Sequence, residues 1–307
     1  VTLLLHHAAF LEHLTPAGHP ERPDRMRALH DALDHEDFSG LLREEAPEAD
    51  LAVAEFVHAA DYVARIRDRI PDSGLVALSA DTNLSPGTLE ALLRGMGAAL
   101  RAVDAVAKRE VANAFVASRP PGHHAEVSEA MGFCLFNNAA IAARYAQKTY
   151  GIERVAIVDW DVHHGNGTQD IFWSDASVLY ASTHEMPLFP GTGALGETGI
   201  GNIFNAPLVA GDDGSRFREA FRERILPAVR NFGPDLVLIS AGFDAHHRDP
   251  LANLELVEDD FAWATGKLMD EADRSADGRL VSLLEGGYDL QGLASSAAAH
   301  IRQLMAA

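Results

Sequence analysis

Cysteine is nearly absent from this sequence. Cys134 is the only one in 307 residues, so no intramolecular disulfide can form and a cysteine-built zinc cluster is excluded. A reducing cytoplasm is the expected compartment. Long apolar runs are missing as well. No stretch reaches 18 apolar residues, so no membrane-spanning helix is expected. The opening VTLLLHHAAF has neither a basic n-region nor a clear small-residue cleavage site, and it reads as a first strand rather than a signal peptide. Basic residues are scarce: 25 Lys+Arg against 45 Asp+Glu leave a net charge of −20. Nucleic acid requires a basic surface and is excluded as a bulk ligand. An acidic surface serves solubility and is compatible with cationic substrates. The glycines at Gly191 and Gly193 match no phosphate-binding pattern, so nucleotide binding has no support. There is no internal repeat, low-complexity tract or long linker.

What is present is enough to build a large core. The composition is 47% hydrophobic and 23% charged, which excludes a disordered chain. Short, nearly continuous apolar runs at Asn113–Val116, Val155–Val158, Val178–Ala181, Leu236–Ser240 and Leu280–Leu284 read as buried strands. Between and after them lie helical patterns at Pro86–Lys108, Asn137–Tyr150, Ser215–Asn231, Asp259–Asp273 and Leu290–Met305. In the second of these Ala139, Ala142, Ala143 and Ala146 recur at helical spacing. Alternating strands and helices predict an α/β fold with a parallel sheet covered on both faces. The first 85 residues are less regular. A loop enters a helix near Pro23, a second helix spans HAADYVARIRDRI, and a polar loop from Ser79 leads into a capped helix.

The sequence contains 15 histidines, eight of them in four adjacent pairs: His6-His7, His123-His124, His163-His164 and His246-His247. Each of the five apolar strands runs into a polar segment: RPPGHH, DWDVHHG, STH, GFDAH and EGGY. Open α/β sheets bind ligands at the carboxyl ends of their strands, so these segments are expected to share one pocket. If Val158 is followed by further extended chain, Asp159, Asp161 and His163 point one way. A carboxylate and an imidazole two residues apart suit Zn²⁺ or Fe²⁺. A catalytic zinc takes three protein ligands, and Asp244, leaving a strand after a glycine, is the candidate third. An aspartate at a strand end serves equally as a helix cap. Pro120, Pro121 and Gly122 hold His123 and His124, which can divide proton transfer and charge stabilisation. Asp159 and Asn166 are candidate orienting partners. Tyr288, after two glycines, could donate to an oxyanion or pack in the core. Phe133 and Phe189, beside glycines, could wall a slot or pack internally. Cys134 reads as a small buried residue.

The segments RPPGHHA (119–125), GFCLFNN (132–138), VDWDVHHGNGTQDIF (158–172), FPGTG (189–193), SAGFDAHHRDPL (240–251) and LEGGYDL (284–290) together resemble the histone deacetylase superfamily. That superfamily includes bacterial deacetylase-like amidohydrolases and acetylpolyamine amidohydrolases. HPERPDR (19–25) is similar to its first active-site loop. The resemblance implies one arginase–deacetylase α/β domain over residues 1–307, with about eight parallel strands and helices on both faces. It implies Zn²⁺, or Fe²⁺, on Asp161, His163 and Asp244. His124 is then general base and acid, His123 its electrostatic partner oriented by Asp159, and Tyr288 the group that polarises the carbonyl. Gly132, Phe133, His164, Phe189 and Leu251 would line or adjoin the acyl-lysine tunnel, with Asp81 at its rim. A structural K⁺ is implied at Asp159 and Ser182 and at main-chain carbonyls of Asp161, His163 and Thr183. Asn166 stands where one form of the family has Asp, and this variant resembles the class II and bacterial branch.

The expected function is removal of acetyl or another short acyl group from a primary amine by metal-activated water. The partners expected are acetylated lysine in a peptide or protein, or an acetylated polyamine. A two-manganese, arginase-like enzyme drawing on Asp159, His163 and His246 is a rival within the fold. A non-catalytic acyl-lysine binding protein is a rival from another class. Oligomeric state is not legible in the sequence.

Overall fold

The computed structural model describes residues 1–307. Ten strands form in chain order: β1 (Thr2–His6), β2 (Leu42–Glu45), β3 (Val76–Ala77), β4 (Asn83–Leu84), β5 (Asn113–Val116), β6 (Val155–Asp159), β7 (Val178–Glu185), β8 (Ile203–Leu208), β9 (Leu236–Ala241) and β10 (Leu280–Leu284). The helices are α1 (Asp24–Leu33), α2 (Ala60–Asp68), α3 (Thr88–Ala107), α4 (Asn138–Tyr150), α5 (Asn166–Phe172), α6 (Gly214–Ala220), α7 (Leu226–Phe232), α8 (Glu258–Ser275) and α9 (Leu290–Leu304). Eight strands make one parallel sheet in the order β2-β1-β5-β10-β9-β6-β7-β8, while β3 and β4 pair as a small separate hairpin. One face carries α1, α9, α8 and α7, and the other carries α3 and α4, as their mutual contacts place them.

Burial explains which strands the sequence announces. Every residue of β5, β6, β7, β9 and β10 is buried, so these read as apolar runs. The edge strand β2, LREE, has no buried residue, and β8 contains Pro207 and Asn205. Neither carries a strand signature, and both escape a reading based on apolar runs. The helix expected over Ser215–Asn231 is a composite. A π-turn, Phe221–Ile225, separates α6 from α7, and Pro227 follows at the start of α7. Proline has no N–H and crowds the carbonyl four residues back, and a wider turn relieves both. The cap expected before α3 is absent: its N-cap is Gly87, with no side-chain bond.

The strand order places the site. β5 and β6 follow one another in the chain but are separated in the sheet by β10 and β9. Asp159 at the end of β6 is level with Ser240 of β9 and Ser182 of β7. The loops after β5, β6, β9 and β10 therefore leave the same end of the sheet side by side.

Away from that end, His300 is wholly buried between Thr265 and Ser282, with ring nitrogens 2.6 and 2.8 Å from their hydroxyls. Burial pushes its pKa down to about 3. It stays neutral when folded but takes a proton near pH 6.5 when unfolded, so its share of stability is lost as pH falls below 6.5. His300→Gln is expected to flatten the fall in unfolding free energy between pH 7 and pH 5 by about 2 kcal/mol. Urea titrations at the two pH values measure this, and parallel loss in variant and wild type would contradict it.

Candidate active site

The extended chain of β6 ends at Asp159, so strand alternation does not align Asp159, Asp161 and His163 as expected. Two tight turns do the work instead. Asp159 Oδ1 accepts the Asp161 N–H at 3.0 Å, and Asp161 Oδ1 accepts the His163 N–H at 2.9 Å. Short acidic side chains favour such local backbone bonds. Asp244, three residues after β9, accepts the Val162 N–H at 2.8 Å through Oδ1. Its Oδ2 lies 3.2 Å from His163 Nδ1, which is also 3.2 Å from Asp161 Oδ1. One ligand atom from each of Asp161, His163 and Asp244 lies within 4.8 Å of the others, and all three residues are buried. Asp159 is not in this cluster. Its Oδ2 meets His123 Nδ1 and the Tyr180 hydroxyl, both at 2.9 Å.

The cluster gathers negative charge in a buried place. Burial and the neighbouring Asp161 charge push the Asp244 carboxyl up to about 7. Burial works against charge on His163, but hydrogen bonds to Asp161 and Asp244 raise it to about 10. Two buried carboxylates this close cannot both ionise without a compensating positive charge nearby. Two carboxylates and one imidazole are a donor set suited to Zn²⁺ or Fe²⁺, so the residues fit the expected metal. The carboxylates also crowd the backbone. A side chain on Gly286 would overlap both Asp161 and Asp244, and one on Gly242 would overlap Asp161. Gly286 instead donates its N–H to Asp161 Oδ2 at 2.8 Å.

Beside the cluster, the His123 and His124 rings lie against each other, tilted by 44° with centroids 4.1 Å apart. Burial opposes charge on His123, but Asp159, Asp161 and Glu285 together hold its pKa well above the usual imidazole range. Burial, followed by the charges of His123 and His163, drives His124 well below it. The pair thus splits into a cation and a neutral base, the pattern of divided roles. His124 Nδ1 bonds Asn166 Oδ1 at 2.8 Å. The amide oxygen can only accept, so Nδ1 carries the proton and Nε2 is free to act as a base.

A cavity of about 220 Å³ opens onto this chemistry, lined by Asp81, His124, Gly132, Phe133, His163, Leu188, Phe189, Leu251 and Tyr288. Tyr288 packs edge-on to Phe133, with Arg25 5.0 Å above its ring. Burial keeps the phenol's pKa well above its usual value, so it stays a donor. Phe189 is 44% exposed at the mouth. Of the residues expected to line or adjoin the cavity, His164 is the one outside its wall. Its ring turns away to Thr192 Oγ1 at 2.8 Å and Gln169 Oε1 at 3.0 Å. The next residue after a bend faces the opposite side, and that side here is the packed interior. Ser182 and Thr183 lie within β7, behind the cluster; Ser182 Oγ is 2.8 Å from His184 Nδ1. His246, a candidate for a second metal, points instead to Glu258 at 3.3 Å, so the two-metal ligand set does not assemble.

Several residues within or beside the motif segments are given no role by the sequence: Glu285 in LEGGYDL, Asp249 in SAGFDAHHRDPL, Glu21 in HPERPDR and Leu188 before FPGTG. Glu285 is buried and holds the histidine loop, accepting Gly122 N–H at 2.7 Å and His123 N–H at 3.1 Å. Asp249 accepts the Tyr288 N–H at 2.8 Å and the Leu251 N–H at 3.0 Å. Glu21 pairs with Arg25 and Arg119, all three wholly buried, and Leu188 adds a cavity wall. For the three acids, the hint in the sequence is a charge inside a motif segment, next to a glycine or proline.

Comparison with known proteins agrees with this geometry. Residues 19–304 match the model of the histone deacetylase domain. A histone deacetylase-like amidohydrolase of Pseudomonas aeruginosa is 42% identical, over 89% of this chain and 73% of its own. A probable deacetylase of Archaeoglobus fulgidus is 39% identical, over 95% of this chain and 82% of its own. A crystal structure of the HDA15 HD domain superposes with a TM-score of 0.93 at 36% identity, covering 99% of this chain and 88% of that one. No helix is long and apolar enough to cross a membrane. A matching family model over most of the chain, with relatives this similar, makes the protein a member of the histone deacetylase family.

Proposed function

We propose that the protein is a metal-dependent deacylase that removes acetyl or another short acyl group from lysine side chains of peptides or proteins. The observation that carries this reading is a narrow, largely apolar cavity that ends on a neutral His124, a protonated Tyr288 and the Asp161–His163–Asp244 cluster. The cavity walls suit a linear aliphatic chain bearing an amide at its tip. Residues 1–307 act as one catalytic unit, because β1 and β10, from opposite ends of the chain, both pair with β5.

Asp161, His163 and Asp244 would hold Zn²⁺ or Fe²⁺, which when bound supplies Lewis-acid polarisation of an amide carbonyl and a lowered pKa for an attacking water. His124 Nε2 takes the water proton and later delivers it to the leaving amine. His123, kept cationic by Asp159, stabilises negative charge developing beside it. The Tyr288 hydroxyl donates to the oxyanion. Asp81 stands at the rim to meet the substrate backbone. Asp159, Ser182 and the carbonyls of Asp161, His163 and Thr183 offer hard oxygen donors for K⁺. The single, buried Cys134 fits a reducing cytoplasm.

An acetylated polyamine is the competing substrate, favoured by the acidic surface. The two are separated by assaying an acetyl-lysine fluorogenic peptide and N-acetylputrescine with one metal-analysed preparation. Faster peptide hydrolysis with one metal per chain is expected. Faster acetylputrescine hydrolysis would move the assignment to polyamines. Failure on both amides and on longer acyl-lysine peptides, with metal bound, would favour a non-catalytic binding protein.

A further inference from the structure

The Asn166 amide that orients His124 has its own partner. Asn166 Nδ2 donates to Glu126 Oε1 at 2.8 Å. Its other acceptors are weak: Met131 Sδ at 3.2 Å and the His124 carbonyl at 3.5 Å. Glu126 is itself held from both sides. Its N–H donates to the Glu129 carbonyl at 3.0 Å, and its carbonyl accepts from His58 Nδ1 at 2.8 Å. His58 Nε2 accepts the Asn137 N–H at 3.0 Å, so Nδ1 must carry the proton and the clamp has a fixed sense.

An amide presents two faces of nearly equal shape and opposite polarity. Turned one way, Asn166 accepts from His124 and Nε2 is the base. Turned the other way, its NH₂ faces His124 Nδ1, the imidazole proton must move to Nε2, and the lone pair needed for proton abstraction is lost. A carboxylate accepts only, so Glu126 admits only the NH₂ face. Building on the amide-hydrolase reading, we propose that Glu126 is a positioning residue that sets the orientation of the Asn166 amide and thereby the productive tautomer of His124.

The test is a double-mutant cycle with a spectroscopic readout. Glu126→Ala is expected to lower kcat about 10-fold, in the range for partners one bond removed from a reacting group, with KM and metal content unchanged. Glu126→Gln, whose amide oxygen still accepts but more weakly, is expected to recover most of that loss. In an Asn166→Asp background the orienting group has two equivalent oxygens and needs no partner to choose between them. There Glu126 faces a second carboxylate instead of an N–H, so Glu126→Ala relieves a like-charge contact and is expected not to lower kcat. Equal losses in the two backgrounds would overturn the proposal. Independently of turnover, ¹⁵N spectra of His124, assigned by its loss in His124→Gln, are expected to show the Nδ1–H tautomer in wild type and a mixture in Glu126→Ala. An unchanged tautomer in a folded Glu126→Ala protein would also overturn it. An inactive wild type with the tautomer shift intact would count against the amide-hydrolase reading alone.

Discussion

Alanine at Asp161 or Asp244 is expected to yield a protein that retains no stoichiometric zinc and shows no detectable deacylation. Each carboxylate supplies a ligand atom to the cluster, and a three-ligand catalytic site reduced to two holds zinc far more weakly. The substitutions also leave backbone donors unpaired: His163 and Gly286 at Asp161, and Val162 at Asp244. Each buried N–H left unsatisfied costs about 1–3 kcal/mol. Asp161→Asn and Asp244→Asn, which keep an acceptor oxygen and the side-chain volume, separate loss of metal from loss of fold. Metal analysis after dialysis, with thermal unfolding of the same samples, checks the expectation. Stoichiometric zinc in a folded Asp244→Ala protein would remove Asp244 from the ligand set.

Tyr288→Phe is expected to cut turnover by about 10²-fold or more, the cost typical of losing one oxyanion donor. Metal content and fold should not change. The phenylalanine ring retains the place over which Arg25 stacks and the edge contact with Phe133, and the backbone of residue 288 stays tied to Asp249. KM should move little, because the bond to the oxygen strengthens only as negative charge develops. Steady-state kinetics on an acetyl-lysine peptide reads the split between kcat and KM. Near-normal kcat would leave Tyr288 as a packing residue only.

Much of this site is legible in one dimension because its chemistry is carried by short motifs at strand ends. The HH pair, the DxDxHH segment and Asp244 each follow a strand buried along its whole length, and apolar runs of that kind announce themselves. The loops' shared location follows from parallel strands, all of which end on one side. The edge strand β2 and the strand β8 carry no such signature. β2 buries none of its residues, and Pro207 and Asn205 break the apolar run of β8.

The α/β class and the candidate ligand types were legible in residue chemistry and local periodicity, which are local properties, whereas the roles expected of the His123–His124 pair and Tyr288 came from the resemblance to the deacetylase family. Tertiary structure decided which groups face each other. It turned His164 away from the cavity, kept His246 from a second metal, and set Asp159 behind His123 rather than among the ligands. It also brought Glu285, Asp249 and Glu126 to the backbone and amide groups they hold. Those contacts depend on β10 and β9 inserting between β5 and β6 and on bends whose direction is fixed by hydrogen bonds. No spacing along the chain encodes a partner more than 160 residues away, as Gly122 is from Glu285.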